Sequence, residues 1–387
     1  MSHDPLRRRL ESVRVPEEEN ARLRALAVVR AGFAERTPAP RRAWFRRAPG
    51  LAWALTALVV VALLFTPPGK AVTGWLRDRV APERVRVEAV RPALGSLPAS
   101  GSLLVQSPRG AWVVHEDGSK RRLGSYREAT WSPKGLFVAA TTGSQLVALT
   151  PGGQVRWSLP RPRVSAPRWS PSGFRVAYLS GDRLRVVAGD GTGDRSLGAR
   201  AVAPPAWLPG KLNLLAYAAP DGSVRLVDVD RRELWRSAAG PRPSSLSASG
   251  DGLRLLASGP QGLRVLDGQG HELRRSRTPA RGAAYAPFGR RYAYVRRSPA
   301  GGTDQLVLSS GPRARVLLAS PGRLGHFAWS PDGRFIAVAW PSADQWLFVP
   351  TGRSGRAITA ARIAADFDPG ARGPSGEPAP AEWCCSR

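Results

Sequence analysis

The sequence predicts an all-β fold, a seven-bladed β-propeller with four strands in each blade, over residues 101–371. Three observations predict it: an aromatic-Ser-Pro-x-Gly motif recurs, its copies lie about 40 residues apart, and alternating apolar segments flank each copy. The strongest copies are Trp131-Ser-Pro-Lys-Gly135, Trp169-Ser-Pro-Ser-Gly173 and Trp329-Ser-Pro-Asp-Gly333. Weaker copies begin at Trp207, Ala248, Tyr285 and Phe367.

Each repeat reads as two hairpins. The aromatic residue ends an apolar strand, Ser-Pro-x-Gly makes a tight turn, and an alternating strand follows, as in residues 334–339. A second hairpin comes next, for example residues 145–150 and 154–157 around Pro151-Gly-Gly153. We expect the motif aromatics to pack between neighbouring blades as structural residues. They are Trp131, Trp169, Trp207, Tyr285, Trp329 and Phe367.

The two ends of the repeat region predict how the ring closes. Ahead of Trp131 lie three strand candidates, residues 103–106, 111–115 and 120–123, with no inner strand before them. At the other end, residues 363–367 are an inner-strand candidate followed only by a Pro/Gly-rich tail. We therefore predict that this C-terminal strand completes the first blade and leaves no exposed sheet edge. Residues 372–387 are then a flexible tail.

Residues 48–69 contain no charged residue, and the next charged residue is Lys70. This uncharged segment is long enough for a helix that crosses a bilayer. Arg41, Arg42, Arg46 and Arg47 precede this segment, so the N-terminus is predicted to be cytoplasmic and the propeller extracytoplasmic. Residues 1–47 form a cytoplasmic arm with an amphipathic helix, which either lies on the membrane surface or docks a partner. Residues 70–100 form a juxtamembrane helix and linker.

The net charge of +29 comes mostly from arginine, since only four of the 58 basic residues are lysine. Such a charge can indicate an anionic partner, or it can be compositional drift, because exposed arginines cost little. Nucleic acid is not expected for an extracytoplasmic domain. Cys384 and Cys385 are adjacent and make poor disulfide partners for each other. We expect a reactive frayed tail, with an intermolecular disulfide or a metal-binding tail as the alternatives.

No catalytic constellation is visible in the sequence. It lacks GxSxG, HExxH and SxxK, and its four histidines are scattered, so no catalytic residue, metal ligand or cofactor is predicted. Two glycine-rich stretches, residues 189–193 and 268–270, resemble phosphate or calcium loops, but no helix follows them and hairpin turns require glycine there. A binding module is therefore favoured over an enzyme.

One candidate binding site emerges from the propeller topology. The segments that lead from an outer strand to the next inner strand gather on one face, and each carries arginine, whereas acids there are few, chiefly Glu128 and Asp366. Converging guanidinium groups would attract an anionic wall polymer, a phospholipid headgroup or an acidic protein segment. The predicted anion-binding face consists of Arg127, Arg161, Arg163, Arg200, Arg242, Arg277, Arg281, Arg323 and Arg362.

The WSPDG motif at Trp329–Gly333, followed by Arg334-Phe-Ile-Ala-Val, resembles the TolB-type, WD-like β-propeller repeat. Residues 146–157 and Leu234-Trp235 also resemble the repeats of quinoprotein-type and outer-membrane-assembly propellers. The layout of arm, span and lone propeller resembles envelope proteins of high-GC Gram-positive bacteria. Because no catalytic constellation is visible, we expect a binding scaffold for a protein or an anionic envelope ligand. The alternatives are an anti-sigma-like transmembrane regulator that signals through the N-terminal arm, and a propeller enzyme of the quinoprotein or lyase type.

Overall fold

The computed structural model describes residues 93–211, 213–368 and 377–385. These residues form seven antiparallel sheets of four strands each, which confirms the predicted seven-bladed β-propeller. The predicted membrane span at 48–69, the cytoplasmic arm and residues 70–92 lie outside the described residues. Within the described ranges no helix has the length and apolar character to cross a membrane.

Every blade except the first takes its four strands from consecutive chain. Blade 1 combines the last strand with the first three: β28 (Ala379–Cys384), β1 (Ser102–Ser107), β2 (Gly110–Val114) and β3 (Lys120–Gly124). Blade 2 comprises β4 (Glu128–Trp131), β5 (Val138–Thr141), β6 (Gln145–Leu149) and β7 (Val155–Pro160). Blade 3 comprises β8 (Val164–Trp169), β9 (Arg175–Ser180), β10 (Arg183–Ala188) and β11 (Arg195–Arg200).

The remaining four blades repeat this order. Blade 4 comprises β12 (Ala206–Trp207), β13 (Leu214–Ala218), β14 (Val224–Asp228) and β15 (Glu233–Arg236). Blade 5 comprises β16 (Ser245–Ala248), β17 (Arg254–Gly259), β18 (Gly262–Asp267) and β19 (Glu272–Ser276). Blade 6 comprises β20 (Arg281–Tyr285), β21 (Tyr292–Arg297), β22 (Thr303–Ser310) and β23 (Arg313–Pro321). Blade 7 comprises β24 (Phe327–Trp329), β25 (Phe335–Trp340), β26 (Gln345–Pro350) and β27 (Ile358–Ala361), and the helix α1 (Ile363–Phe367) follows it.

The apolar core of the described residues divides into seven clusters, one at each interface between neighbouring blades. Each cluster combines apolar side chains from two adjacent sheets, as when Leu104 and Val113 of blade 1 meet Trp131 and Val138 of blade 2. The motif residues Trp131, Trp169, Trp207, Tyr285 and Trp329 are all buried at such interfaces. Their placement follows from the repeat, because each ends an inner strand beside the preceding blade.

The identity of the closing strand corrects the sequence prediction. Residues 363–367 form α1 rather than an inner strand, and Phe367 lies fully buried against Trp346 with ring centroids 5.2 Å apart. The strand that completes blade 1 is β28, which pairs antiparallel with β1. The expected flexible tail therefore contains an ordered strand at 379–384. Cys384 ends this strand, so the expected frayed cysteine tail is wrong too.

Because neighbouring strands in a blade are antiparallel, consecutive turns alternate between two faces. We call the face with the turns after the inner strands the motif face. The motif turns of neighbouring blades touch there, since the backbone of Gly250 packs against Pro287 and that of Gly252 against Pro209. We call the opposite face, which carries the connections from outer to inner strands, the connection face. It also carries the turns between the second and third strands of each blade.

Candidate binding faces

All nine arginines of the predicted anion-binding face lie in outer-to-inner connections or at the strand ends beside them. Eight are exposed, and Arg161 is half-buried. The structure therefore brings the nine residues to one side of the ring. Their individual partners divide them into two groups.

Three of the nine arginines are neutralised by aspartates. Arg161 lies 2.6 Å from the Asp194 carboxylate, Arg200 lies 3.1 Å from Asp182, and Arg281 forms an ion pair with Asp304. The Asp304 carboxylate is completely buried and also accepts the backbone N–H of Leu324 at 2.8 Å. These ion pairs connect loops to strands, so the three guanidinium groups are less available to bind a ligand.

Asp194 is the centre of the largest of these networks. Its carboxylate accepts hydrogen bonds from Arg161, from Arg185 at 2.5 Å and from the Tyr178 hydroxyl at 2.6 Å. Burial raises the pKa of Asp194, but the bonds from Arg185, Tyr178 and Arg161 outweigh it and leave the pKa below its ordinary value. Burial and the bond to Asp194 raise the pKa of Tyr178 to about 12. The network thus favours an ionised Asp194 and a protonated Tyr178.

The connection face carries more acids than its outer-to-inner connections alone contain. The turns between second and third strands, or the strand ends beside them, bring further aspartates to the same face: Asp182, Asp221, Asp304 and Asp344. Bonds from Ser223, together with Arg236 and Arg225, lower the pKa of Asp221 to about 2. The prediction from the sequence covered only the outer-to-inner connections. Because neighbouring strands are antiparallel, the turns between second and third strands lie on the same face and bring these acids to it.

Six of the predicted arginines have no carboxylate within ion-pair distance in the described part of the chain. They are Arg127, Arg163, Arg242, Arg277, Arg323 and Arg362. Arg163 lies over Gly181 of its own blade, and Arg127 lies over Gly143 in the same way. A side chain at either glycine would displace the guanidinium group. The connection face therefore retains positive charge after its ion pairs are formed.

A pocket on the connection face of blade 5 was missed by sequence reasoning. It has a volume of about 380 Å³, and its lining includes Arg242, Arg264, Arg275 and Arg277. Arg264 lies on β18 and is only 6% exposed. The available signal was an arginine within the otherwise apolar segment Gly262-Leu-Arg-Val-Leu266.

The motif face has a different character. Of the eight large apolar side chains exposed in the described residues, four lie at the motif turns: Leu136, Phe174, Leu253 and Phe288, with exposed fractions of 61%, 74%, 46% and 69%. Three more lie at the ends of outer strands that reach this face: Val155, Leu234 and Leu273. Only Val202 lies on the connection face. Exposed apolar surface is therefore concentrated on one side of the ring.

A groove on the motif face lies between blades 2 and 3. It encloses about 790 Å³, and Leu136, Phe137, Trp157 and Phe174 supply its apolar lining. Lys134, Arg156 and Asp190 also line it, which gives a net charge of 2 − 1 = +1. Aromatic side chains beside basic ones suit the docking of another protein chain.

Both glycine-rich stretches lie in turns between the third and fourth strands of a blade. Gly189 lies in the turn between β10 and β11, where its carbonyl accepts the Trp157 indole N–H at 2.9 Å, and Gly268 accepts that of Trp235 at 2.8 Å. Among the described residues, no three His, Cys, Asp or Glu side chains cluster in a way that could hold a metal ion.

Two solved structures are similar to this chain. The β-propeller domain of Cps50 (Swd1) from Myceliophteria thermophila matches with a TM-score of 0.50 at 14% identity, over 61% of this chain and 86% of that one. Hydrazine synthase from Kuenenia stuttgartiensis matches with a TM-score of 0.47 at 14% identity, over 57% of this chain and 75% of that one. The first likeness supports the β-propeller fold alone. No protein-family model matches the sequence, and a search of the curated proteins finds no match.

Proposed function

We propose that this chain is a non-enzymatic, membrane-anchored binding module whose extracytoplasmic propeller holds a protein or an anionic envelope ligand. The observation that carries the proposal is the apolar motif face, where seven of the eight large apolar side chains exposed in the described ranges lie. Leu136 and Phe174 lie in one groove on this face, and an exposed apolar groove marks a surface that another molecule covers. Single exposed apolar residues would instead be scattered over both faces.

The partner that fits the motif face is a protein segment with apolar and acidic side chains. Phe174 and Trp157 offer aromatic surface in the groove between blades 2 and 3, and Lys134 and Arg156 flank it. Aromatic residues in such grooves carry much of the binding energy in protein interfaces. Acidic side chains on the partner complement the net positive charge of the groove.

The test compares aspartate substitutions on the two faces. In the full chain, Phe174→Asp combined with Leu136→Asp places two charges in the groove, while Val202→Asp places one on the connection face. After chemical crosslinking in intact cells and purification, we expect the groove variant to lose the crosslinked complex by at least ~10-fold. Val202→Asp should retain it. Equal amounts of complex from all three proteins would refute the motif face as the docking site.

Membrane anchoring and orientation are part of the same proposal and rest on the sequence of residues 41–69. A reporter enzyme that is active only outside the cytoplasm, fused after Arg387, should be active. Protease added to spheroplasts should remove the propeller, whereas a cytoplasmic control protein should survive. A propeller that stays protected until the membrane is dissolved would contradict an extracytoplasmic location.

An anionic ligand is supported by the connection face, where six arginines lack a carboxylate partner in the described part of the chain. The pocket lined by Arg264 concentrates this charge, because Arg242 and Arg277 of the six also line it.

A further inference from the structure

The unusual feature of the blade 5 pocket is a buried arginine with no carboxylate in direct contact among the described residues, although Glu272 is near enough to stabilise its charge. In the described part of the chain, three charged residues are buried as whole residues: Arg264, Asp304 and Asp368, with exposed fractions of 6%, 0% and 8%. Asp304 pairs with Arg281, and Asp368 pairs with Arg109. No carboxylate in the described part of the chain lies within ion-pair distance of Arg264. Burying a charge without an opposite charge is costly, and arginine is seldom fully buried unless it is paired.

The hydrogen bonds of Arg264 leave donors free for a ligand. Its Nη2 donates to the Gly222 carbonyl at 2.6 Å, and this is the one hydrogen bond of the guanidinium group to the described residues. Nη1 lies beside Gly240, where a β-carbon would be only 2.8 Å away. Burial is the main cause that lowers the pKa of Arg264. A guanidinium group has five N–H donors, so most of the donor capacity of Arg264 is unused.

The rest of the pocket adds positive charge. Arg242 and Arg277 are exposed on its rim without carboxylate partners in the described residues, and Arg275 pairs with Glu272 at 2.6 Å. Four arginines and this one glutamate give a local charge of 4 − 1 = +3. Such a charge favours a multiply charged anion over a monocarboxylate. The guanidinium group of arginine also binds phosphate oxygens through two parallel hydrogen bonds.

We propose that the pocket between Arg242, Arg264 and Arg277 binds a phosphate group, with the buried Arg264 guanidinium as its floor. This site rests on the anionic-ligand part of the proposed function and gives that ligand a chemical class. The phosphate belongs either to a small molecule or to a phosphate-containing polymer of the envelope. Gly222 and Gly240 belong to the site because their lack of side chains leaves room for the guanidinium group of Arg264.

The test is calorimetric titration of the full chain in non-ionic detergent at constant ionic strength. The probes are inorganic phosphate, glycerol 1-phosphate, poly(glycerol phosphate) and, as a monocarboxylate control, acetate. We expect phosphate probes to bind at least ~10-fold more tightly than acetate. Arg264→Met and Arg277→Gln should each weaken phosphate binding by ~10-fold or more, the loss of one charge-assisted hydrogen bond. Arg232→Gln, an exposed arginine on the motif face, is the matched control and should bind like wild type.

Stability distinguishes a ligand site from a structural arginine. Replacing an uncompensated buried charge by an apolar side chain of similar size is often neutral or stabilising. We therefore expect Arg264→Met to melt at the same temperature as wild type or higher in phosphate-free buffer, and to gain less from added phosphate. A lower melting temperature together with unchanged phosphate affinity would assign Arg264 a structural role and overturn the site.

The remaining outcomes are also decisive. If wild type binds none of the phosphate probes, or if Arg264→Met and Arg277→Gln bind like Arg232→Gln, the site is refuted. Arg264-dependent binding of the small phosphates alone supports a small-molecule ligand, and Arg264-dependent binding of the polymer supports an envelope polymer. The aspartate substitutions at Phe174 and Leu136 lie on the opposite face and should leave phosphate binding unchanged. Failure of the phosphate site is therefore separable from failure of protein docking.

Discussion

Three inner-strand side chains accept backbone N–H groups from the next blade. Glu382 accepts from Trp131 at 2.8 Å, Glu128 accepts from Ala166, and Ser247 accepts from Tyr285 at 3.0 Å. Inner strands of different blades are not paired in a sheet, so these side chains satisfy donors that would otherwise be buried without a partner. These three acceptors link neighbouring blades around the ring, and Glu382 makes its link from β28, the strand that completes blade 1.

The Glu382 carboxyl predicts a pH dependence. Burial raises its pKa above the ordinary 4.5, although bonds from Trp131 and Thr130 oppose the shift. The folded chain then holds this proton more tightly than the unfolded chain, so the Glu382 contribution to the free energy of unfolding falls as pH rises from about 4.5 through the raised pKa. Glu382→Gln, which cannot ionise, should show a flatter pH dependence of the urea midpoint across this range. An identical pH profile for wild type and Glu382→Gln would contradict the assignment.

Glu382→Ala provides the control for the hydrogen bonds themselves. It leaves the Trp131 N–H without an acceptor and should lower the free energy of unfolding by about 1–3 kcal/mol.

Residue-level prediction from sequence succeeded where the repeat dictates position and failed where a partner comes from another blade. The places of Trp131, Trp169 and Trp329 follow from the motif, because each must end an inner strand. The partner of Arg161 is Asp194, 33 residues away on the next blade, and no local pattern indicates it. Arg264 was missed for the same reason, since its burial depends on Gly222 and Gly240 of the preceding blade.

At the scale of elements, α1 and β28 show why the end of the chain was misread. Residues 363–367 read Ile-Ala-Ala-Asp-Phe, and a short apolar run of this kind fits a strand or a helix equally well. Contacts decide the outcome: the Asp344 carboxylate accepts the N–H of Ala364 at 2.7 Å, and the Lys120 ammonium lies 3.0 Å from Asp366. The helix places Phe367 in the core between blades 7 and 1.

β28 was overlooked because it follows a Pro/Gly-rich segment and contains Pro380 itself. A proline cannot donate to a neighbouring strand and is therefore confined largely to sheet edges. β28 is the inner edge strand of blade 1 and pairs with β1 on one side only, so Pro380 is tolerated. Trp383 of β28 is buried against Phe348 of blade 7. The tail was not expected to make such a contact with the core of the propeller.

At the scale of the whole molecule, the ring presents two faces with different chemistry. The motif face carries most of the exposed apolar side chains, and the connection face carries the arginines without carboxylate partners. The described chain starts near the motif face, where the N–H of Leu97 donates to the Glu116 carbonyl at 2.9 Å beside the β2–β3 turn. The number of blades was predictable because three strands ahead of the first full repeat need one further inner strand to complete a seventh blade. The chemical difference between the two faces was not predictable from the sequence, because it depends on which turns lie on the same face of the ring.

We conclude that β28 closes the seven blades into one ring. Both faces depend on this closure, because each is a continuous surface only when the ring is closed. The most direct measurement is urea unfolding, followed by tryptophan fluorescence, of chains that end after Arg372 or after Cys385. The shorter chain lacks β28 and loses the buried Trp383, so it should be less stable by at least about 3–5 kcal/mol. The chain that ends after Cys385 should unfold like the full chain. Equal unfolding midpoints for the two truncated chains would contradict closure by β28 and return the closing role to the segment at 363–367.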